Sequence, residues 1–147
     1  RGTSQPLEIF GHPMLDPFSF YDKKLKTSVK ESKLKGFALR PITFLPTFQK
    51  FENQVCGGYQ IHITNKKTFK PWRVGQFLMK ELYHHLGDKF EWKSTPYEYN
   101  FNQNPFDIIN GTDKIRHWIE NNEPIEKLDI FENHSDYKIQ FEDIKIY

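Results

Sequence analysis

The chain has 147 residues, with 21 Lys or Arg and 19 Asp or Glu, which gives a formal net charge of +2. This length suffices for one hydrophobic core, and its 37% hydrophobic and 16% aromatic residues exclude a disordered chain. The scattered, nearly balanced charge argues against nucleic acid as a partner. No apolar run reaches the ~20 residues of a membrane span, and the single cysteine cannot form an internal disulfide.

The N-terminal third of the chain predicts two strands separated by a helix. Residues 7–10 are mostly apolar and precede a turn containing Gly and Pro, which indicates a short strand. Pro17 suits the first position of a helix, and Phe18 is expected on the apolar side of that helix. Residues 37–44 predict an extended segment in which Pro41 favours the edge of a sheet.

The stretch VCGGYQIHIT predicts the clearest strand of the chain. A period of two places Gln60, His62 and Thr64 on one face, where an amide, an imidazole and a hydroxyl could hydrogen-bond to a sugar. Gly57 and Gly58 leave room for the close approach of a ligand or of another backbone segment. The same pattern also fits an ordinary antiparallel strand with one solvated face.

Helical patterns dominate the second half of the sequence. Pro71 and Gly87 are typical of the two ends of a helix with a 3.6-residue apolar period. Two short helices are expected on either side of Gly111, and residues 124–147 show mostly helical spacing. Residues 90–100 predict a short extended piece.

The order of these elements predicts an α+β fold. We expect a small, mainly antiparallel or mixed sheet packed by several helices, a helix-rich C-terminal half, and a single domain over residues 1–147. Large aromatic side chains are expected mostly in the core; they are Phe37, Phe44, Trp72, Phe77 and Trp118.

Few side chains indicate chemistry by themselves. Cys56 has no neighbour that would activate a thiolate, so a buried packing role is favoured. His84 and His85 lack a further ligand at metal-binding spacing, so no metal site is predicted. Carboxylates available for acid and base catalysis are Glu52, Glu91, Glu98 and Asp107.

Glu91 is the candidate acid with the most suggestive neighbours. It lies between Phe90 and Trp92, and apolar surroundings of this kind can raise the pKa of a catalytic acid. A glutamate beside aromatic residues is, however, more often an ordinary surface residue. Glu91 and Asp107 are therefore only weak catalytic candidates.

Several short motifs follow one another along the chain. They are RGT, PLEIFGHP, PTFQKFENQVCGGYQIHIT, TFKPWRVG, FEW, PYEY, FDIINGTDKIR and the terminal KIY. Together they resemble the C-terminal half of the bacterial family first called domain of unknown function 1343. The central motif carries most of this resemblance, because it fixes many residue types at once, whereas the later motifs are individually weak.

The resemblance implies an activity for the parent protein. Characterised members of the family are exo-β-N-acetylmuramidases, glycoside hydrolases that remove terminal N-acetylmuramic acid from peptidoglycan fragments. In that family an N-terminal Rossmann-like domain comes first, and the active site lies in the cleft between the two domains. RGT matches the end of that first domain, so this chain is expected to begin at the junction.

The resemblance also implies what the chain works with. Its partners are expected to be saccharides or muropeptides containing N-acetylmuramic acid and an N-terminal Rossmann-like domain of the same protein, with no cofactor and no metal. The family's catalytic glutamate is expected in that N-terminal domain and matches no residue here. The full-length protein is expected in the periplasm or outside the cell.

Residues matched to the family motifs are expected to line the substrate cleft. An arginine at the junction could bind the lactyl carboxylate of N-acetylmuramic acid through paired hydrogen bonds. Asp107 is expected to orient a partner rather than to titrate. The substrate-binding residues that the resemblance implies are Arg1, Thr3, Lys50, Gly57, Gly58, Gln60, His62 and Asp107.

Two other functions remain open from the sequence. The chain could be a non-catalytic carbohydrate-binding or cell-wall-binding module, which would bind muropeptides without another domain. It could instead be a self-contained hydrolase that uses Glu91 or Glu98 together with Asp107. The leading interpretation is a substrate-binding half-site with little or no activity of its own.

Overall fold

A computed structural model describes residues 2–132 of the chain. Three antiparallel strands form a sheet in the order β1-β3-β2. Several helices pack around this sheet and dominate the second half of the chain. The predicted α+β class is confirmed, and the sheet is antiparallel. The strands are β1 (Ile9–His12), β2 (Phe37–Phe44) and β3 (Cys56–Ile63).

The two outer strands differ in how well the sequence places them. The prediction for β1 was wrong by two residues, because Leu7 adopts a left-handed φ of 70° and is 97% exposed. A leucine in that conformation cannot continue a strand. β2 lies at the edge of the sheet, as Pro41 predicted, and Pro41 faces Tyr59 of the central strand.

A helical segment connects β1 to β2. Asp16 caps its start, since Oδ1 accepts hydrogen bonds from the backbone amides of Phe18 at 3.0 Å and Ser19 at 3.2 Å. The prediction for Phe18 was wrong: its side chain is 65% exposed, and Phe20 is buried instead. A π turn in mid-segment breaks the 3.6-residue spacing. The parts are α1 (Pro17–Phe20), the π turn (Tyr21–Leu25) and α2 (Lys26–Glu31).

The proline and glycine residues that predicted helix ends in the second half of the chain lie at helix ends in the structure. α3 begins at Pro71 and is closed by Gly87, and Gly111 adopts a left-handed φ of 69° at the end of α4. The prediction for residues 124–147 is met in part by a 3₁₀ turn and α6, and its remainder lies outside the described residues. The helices are α3 (Pro71–Leu86), α4 (Pro105–Asn110), α5 (Lys114–Glu120) and α6 (Asp129–Glu132).

The segment between α3 and α4, where an extended piece was predicted for residues 90–100, begins extended at Phe90 and joins no strand of the sheet within residues 2–132. Its only ladder contact is an isolated bridge in which Tyr97 and Asn100 exchange backbone hydrogen bonds of 3.0 Å. Tight turns at Asn100 close the segment, since the Asn100 Oδ1 accepts from two backbone amides further along the chain.

Two groups of buried side chains make the core. The sheet cluster lies between the sheet and helices α1 and α3, and the helical cluster lies between α3 and α5. The sheet cluster contains Leu15, Phe20, Leu25, Tyr59, Val74, Phe77, Leu78, Leu82 and Leu86. The helical cluster contains Ile115, Trp118, Ile119 and Leu128, with Met79 and Tyr83 of α3 packed against it.

The aromatic residues expected in the core differ in how deeply the structure buries them. Phe77 and Trp118 are buried at 4% and 3% exposure, and Phe37 and Phe44 are half-buried. Trp72 is 36% exposed, so its assignment to the core was wrong. Its indole lies at the surface and donates a 3.2 Å hydrogen bond from Nε1 to Asn110 of α4.

Candidate functional site

The glycines of the central strand lie against backbone of the same domain. A Cβ atom on Gly57 would overlap the carbonyl oxygen of Leu15, and one on Gly58 would overlap that of Phe10. The glycines thus allow β1 and the turn after it to approach β3 closely. Of the two alternatives that the sequence left open at these positions, the structure shows the approach of another backbone segment.

The polar face of β3 is partly closed by side chains of the chain itself. Gln60 is only 6% exposed; its Oε1 accepts from Arg40 at 2.8 Å and its Nε2 donates to Gln5 at 3.1 Å. Both hydrogen-bonding ends of the amide are therefore occupied within the domain. His62, two residues further along the strand, is exposed.

Asp107 lies on α4 and binds a guanidinium. Its two carboxylate oxygens accept hydrogen bonds of 3.0 to 3.1 Å from Arg116 of α5, and Arg116 also contacts Glu120. This paired geometry fixes α4 against α5. Asp107 thus orients a partner within the domain, and the predicted catalytic partner Glu98 lies exposed on the loop before α4.

A groove of about 530 Å³ runs beside β1 and is lined by parts of the chain that are distant in sequence. Its walls come from β1, from α3 and from residues 90–97 and α4, and most of its lining is apolar. We call it the β1 groove. The polar and charged side chains in its lining include Thr3, His12, Lys50, Glu91, Lys93 and the hydroxyl-bearing Tyr97.

The loop between β2 and β3 delivers Lys50 to this groove. Three non-glycine residues around Lys50 have left-handed backbone angles: Gln49 at φ 70°, Phe51 at φ 64° and Asn53 at φ 58°. Each such conformation costs on the order of 1 kcal/mol and persists only where the surroundings impose it. The result is a tightly turned loop from which Lys50 Nζ donates to the Glu91 carbonyl at 2.8 Å.

His12, at the end of β1, is held in one orientation. Its Nδ1 accepts a 3.1 Å hydrogen bond from the Met14 amide, so the neutral ring carries its proton on Nε2. The ring also packs edge-on against Phe51 at 4.8 Å between centroids. Burial and the charge of Lys50 lower the pKa of His12, while the carboxylate of Glu91 opposes them.

The lowered pKa of His12 predicts a pH-dependent stability. Below its ordinary pKa of 6.5, the unfolded chain takes up a proton at His12 before the folded protein does, so acid favours unfolding. We expect His12→Asn, which keeps an acceptor for the Met14 amide, to lose less stability than wild type between about pH 7 and pH 5. Urea unfolding at several pH values measures this difference.

An exposed histidine supplies the control for that experiment. His62→Asn, at the exposed end of β3, makes the same substitution outside the groove and serves as the reference variant. His85 also contributes to the pH dependence of stability in wild type, because burial and the charges of Lys24 and Lys23 lower its pKa. Identical pH profiles for wild type and His12→Asn would contradict the assignment.

The groove wall opposite β1 is anchored by aromatic packing. Trp92 stacks on Tyr83 of α3 at 5.7 Å between centroids, and its Nε1 donates to Glu120 at 3.0 Å. Phe90 packs against the same Tyr83 at 5.1 Å. Phe90 and Trp92 also pack against each other at 4.9 Å between centroids, so both neighbours of Glu91 are held in place, while Glu91 itself is exposed.

The groove gathers some of the residues expected from the sequence and not others. It brings Thr3, Lys50 and Glu91 together, whereas Gly58, Gln60, His62 and Asp107 lie elsewhere and Arg1 is outside the described residues. The sequence did not single out His12 or Tyr97. The signal for His12 was its position in the Gly-His-Pro turn at the end of a strand.

The remaining candidates from the sequence, Cys56, His84 and His85, pack against other parts of the domain. Cys56 is fully buried, and burial raises the pKa of its thiol. Both features fit a packing role rather than a reactive thiol. His84 lies 2.7 Å from the Ile119 carbonyl, and His85 packs on Phe20. Within residues 2–132, no three His, Cys, Asp or Glu side chains are grouped to hold a metal ion, and no helix is long and apolar enough to span a membrane.

Comparison with known proteins assigns the chain to a family. Residues 1–147 match the family described as exo-beta-N-acetylmuramidase NamZ, C-terminal. The chain belongs to this family. It is 28% identical over 128 residues to the peptidoglycan beta-N-acetylmuramidase NamZ of Bacillus subtilis (strain 168), an alignment that covers 87% of this chain and 28% of that protein.

A solved structure has the same fold. The chain superposes on the crystal structure of a DUF1343 family protein from Bacteroides fragilis NCTC 9343 with a TM-score of 0.73 and 16% identity. The match covers 99% of this chain and 36% of that one. The NamZ C-terminal chain thus spans little more than a quarter to a third of these two relatives.

Proposed function

We propose that this chain is the substrate-binding, C-terminal part of an exo-β-N-acetylmuramidase that removes terminal N-acetylmuramic acid from peptidoglycan fragments. The observation that carries the proposal is the β1 groove, in a chain that belongs to the NamZ C-terminal family. A concave site with an apolar lining and a few polar side chains is the usual form of a ligand site. Its volume of about 530 Å³ suits one or two sugar rings.

The chemistry of the lining matches that of a sugar. Aromatic rings such as those of Phe51 and Tyr97 offer faces to the C–H surface of a pyranose, and both line the groove. Lys50 and His12 supply hydrogen-bond donors, and Glu91 supplies an acceptor for hydroxyl groups. Apolar faces and directed polar groups therefore occur side by side, as sugar recognition requires.

The groove alone does not supply the groups that hydrolysis needs. Glycosidases usually place two carboxyl groups across the scissile bond, and Glu91 is the one carboxylate among the groove residues that the structure describes. Asp107, the partner suggested by the sequence, is held by Arg116 instead. We therefore propose that the catalytic groups come from a preceding Rossmann-like domain of the parent protein.

Titration of the 147-residue chain with N-acetylmuramic acid tests this proposal. We expect amide resonances of groove residues to shift and the chain to release no product from a chromogenic muramic acid glycoside. Binding of muropeptides by the isolated chain that is as tight as binding by the full-length parent protein would instead favour a cell-wall-binding module. Hydrolysis by the isolated chain that disappears in Glu91→Gln would favour a self-contained enzyme.

Tyr97 provides a sharp test of the groove. We expect Tyr97→Ala to weaken binding of N-acetylmuramic acid by about tenfold, because it removes an aromatic face worth roughly 1 to 1.5 kcal/mol from the lining. Calorimetric or NMR titration measures the dissociation constant. Tyr99, two residues away and 95% exposed, is outside the groove and gives the matched control. Equal affinity of Tyr97→Ala and Tyr99→Ala would exclude the groove as the sugar site.

A further inference from the structure

We propose that Lys50, together with the Nε2–H of His12, binds the carboxylate of the lactyl group and so selects N-acetylmuramic acid over N-acetylglucosamine. This inference rests on the proposed function, because it assigns one group of the sugar to one part of the β1 groove. The two sugars differ only in the lactyl ether, and its carboxylate is the only charge that separates them. A residue that distinguishes them must therefore respond to a negative charge.

The charges along the groove favour an anionic group. Its ionisable lining consists of the two cations Lys50 and Lys93, the carboxylate of Glu91 and the imidazole of His12. With His12 neutral, these described lining residues leave an excess of one positive charge. An anionic substituent is accordingly attracted to the groove, whereas a neutral sugar gains nothing from this excess.

Lys50 has donors to spare for such a group. A lysine ammonium has three N–H donors, and one of them is used by the Glu91 carbonyl at 2.8 Å. Among residues 2–132, Lys50 makes no other hydrogen bond and no ion pair. Two donors thus remain for a ligand carboxylate, and hydrogen bonds between charged groups are the stronger kind.

The surroundings of Lys50 hold its ammonium in place, although the residue as a whole is exposed. The left-handed residues Gln49 and Phe51 on either side fix the backbone, and the ammonium lies 5.0 Å from the centroid of the Phe51 ring. Burial lowers the pKa of Lys50, while the Glu91 carboxylate raises it. A cation whose position is already fixed binds an anion at a smaller cost in side-chain ordering.

His12 adds a second donor to the groove. Because Nδ1 accepts from the Met14 amide, Nε2–H is the donor that remains, and no described residue accepts from it. The ring and Lys50 share the Phe51 side chain, which the imidazole meets edge-on at 4.8 Å and the ammonium contacts at 5.0 Å. Both side chains therefore lie next to Phe51 in the lining of the groove.

The test compares two sugars and three lysine variants in the 147-residue chain. NMR titration gives the dissociation constants of N-acetylmuramic acid and N-acetylglucosamine for wild type, Lys50→Gln, Lys50→Arg and Lys93→Gln. We expect wild type to prefer the acidic sugar and Lys50→Gln to lose about tenfold of that preference, the typical effect of one charged hydrogen bond. Binding of N-acetylglucosamine should change less than twofold.

The two other variants separate a specific contact from a general charge effect. Lys93→Gln removes the same charge from the same groove, but its ammonium lies over the Tyr97 ring at 5.1 Å, so the preference should fall clearly less than in Lys50→Gln. Lys50→Arg keeps the charge and should retain most of the preference. Equal losses in Lys50→Gln and Lys93→Gln would overturn the assignment to Lys50.

The wild-type titration distinguishes the two levels of the proposal. If wild type binds both sugars in the groove with equal affinity, the carboxylate site is wrong and the proposed function stands. If wild type shifts no groove resonance with either sugar, the proposed function fails, and this inference fails with it. If Lys50→Gln removes the preference and Tyr97→Ala weakens the binding of both sugars, the carboxylate site and the proposed function are both supported.

Discussion

Gly57→Ala is expected to lower the free energy of unfolding by about 3 kcal/mol, at the upper end of the range for overpacked sites. The new methyl group would overlap the Leu15 carbonyl and lie 2.8 Å from Pro17 Cδ. Both are part of a turn whose backbone cannot move without disturbing β1 and α1. Chemical denaturation monitored by tryptophan fluorescence measures the change.

Gly75→Ala is the matched control for this substitution. Gly75 lies in α3, and a Cβ atom there would meet nothing within 4 Å. Alanine at that position should stabilise the protein by about 0.5 to 1 kcal/mol, because glycine is a poor helix former. A Gly57→Ala protein as stable as Gly75→Ala would show that the turn after β1 is not packed as described.

Trp118→Ala should destabilise the protein by about 3 to 5 kcal/mol. The indole is 3% exposed, forms the centre of the helical cluster and donates from Nε1 to the Pro124 carbonyl at 2.9 Å. Its loss would also uncover Lys80, whose ammonium lies 4.6 Å from the ring centroid. Lys80 is itself buried, which lowers its pKa, and its ammonium also donates to the Glu123 carbonyl at 2.7 Å.

Trp72, on α3, tests whether burial or residue type decides the effect of losing a tryptophan. Trp72→Ala removes the same side chain from a position that is 36% exposed, together with one hydrogen bond to Asn110. We expect a loss of about 1 kcal/mol. Comparable thermal unfolding temperatures for Trp72→Ala and Trp118→Ala would contradict the assignment of Trp118 to the core.

The sequence predicted those features that depend on neighbouring residues. Pro71 and Gly87 bound α3, and Gly111 ends α4, because helix termini are chosen by local backbone preferences. The exposure of Trp72 depends on whether a distant element covers it. No pattern within α3 records that information, so Trp72 and Phe77 received the same assignment.

The β1 groove was not visible in the sequence for a related reason. His12 follows β1, Lys50 belongs to a turned loop, and Glu91 comes after α3, so only the tertiary packing brings them together. The glycine pair showed that something approaches the central strand closely. Which segment approaches Gly57 became clear only from the position of the Leu15 turn.

Helix α3 packs in both core clusters and therefore couples the unfolding of one to that of the other. Val74 and Leu82 pack toward the sheet, while Met79 and Tyr83 pack toward α5. Leu78, Met79 and Leu82 also form part of the groove floor. Loss of the C-terminal helices would therefore remove the support behind the groove, so ligand binding and global unfolding should be lost in a single transition rather than in separate steps.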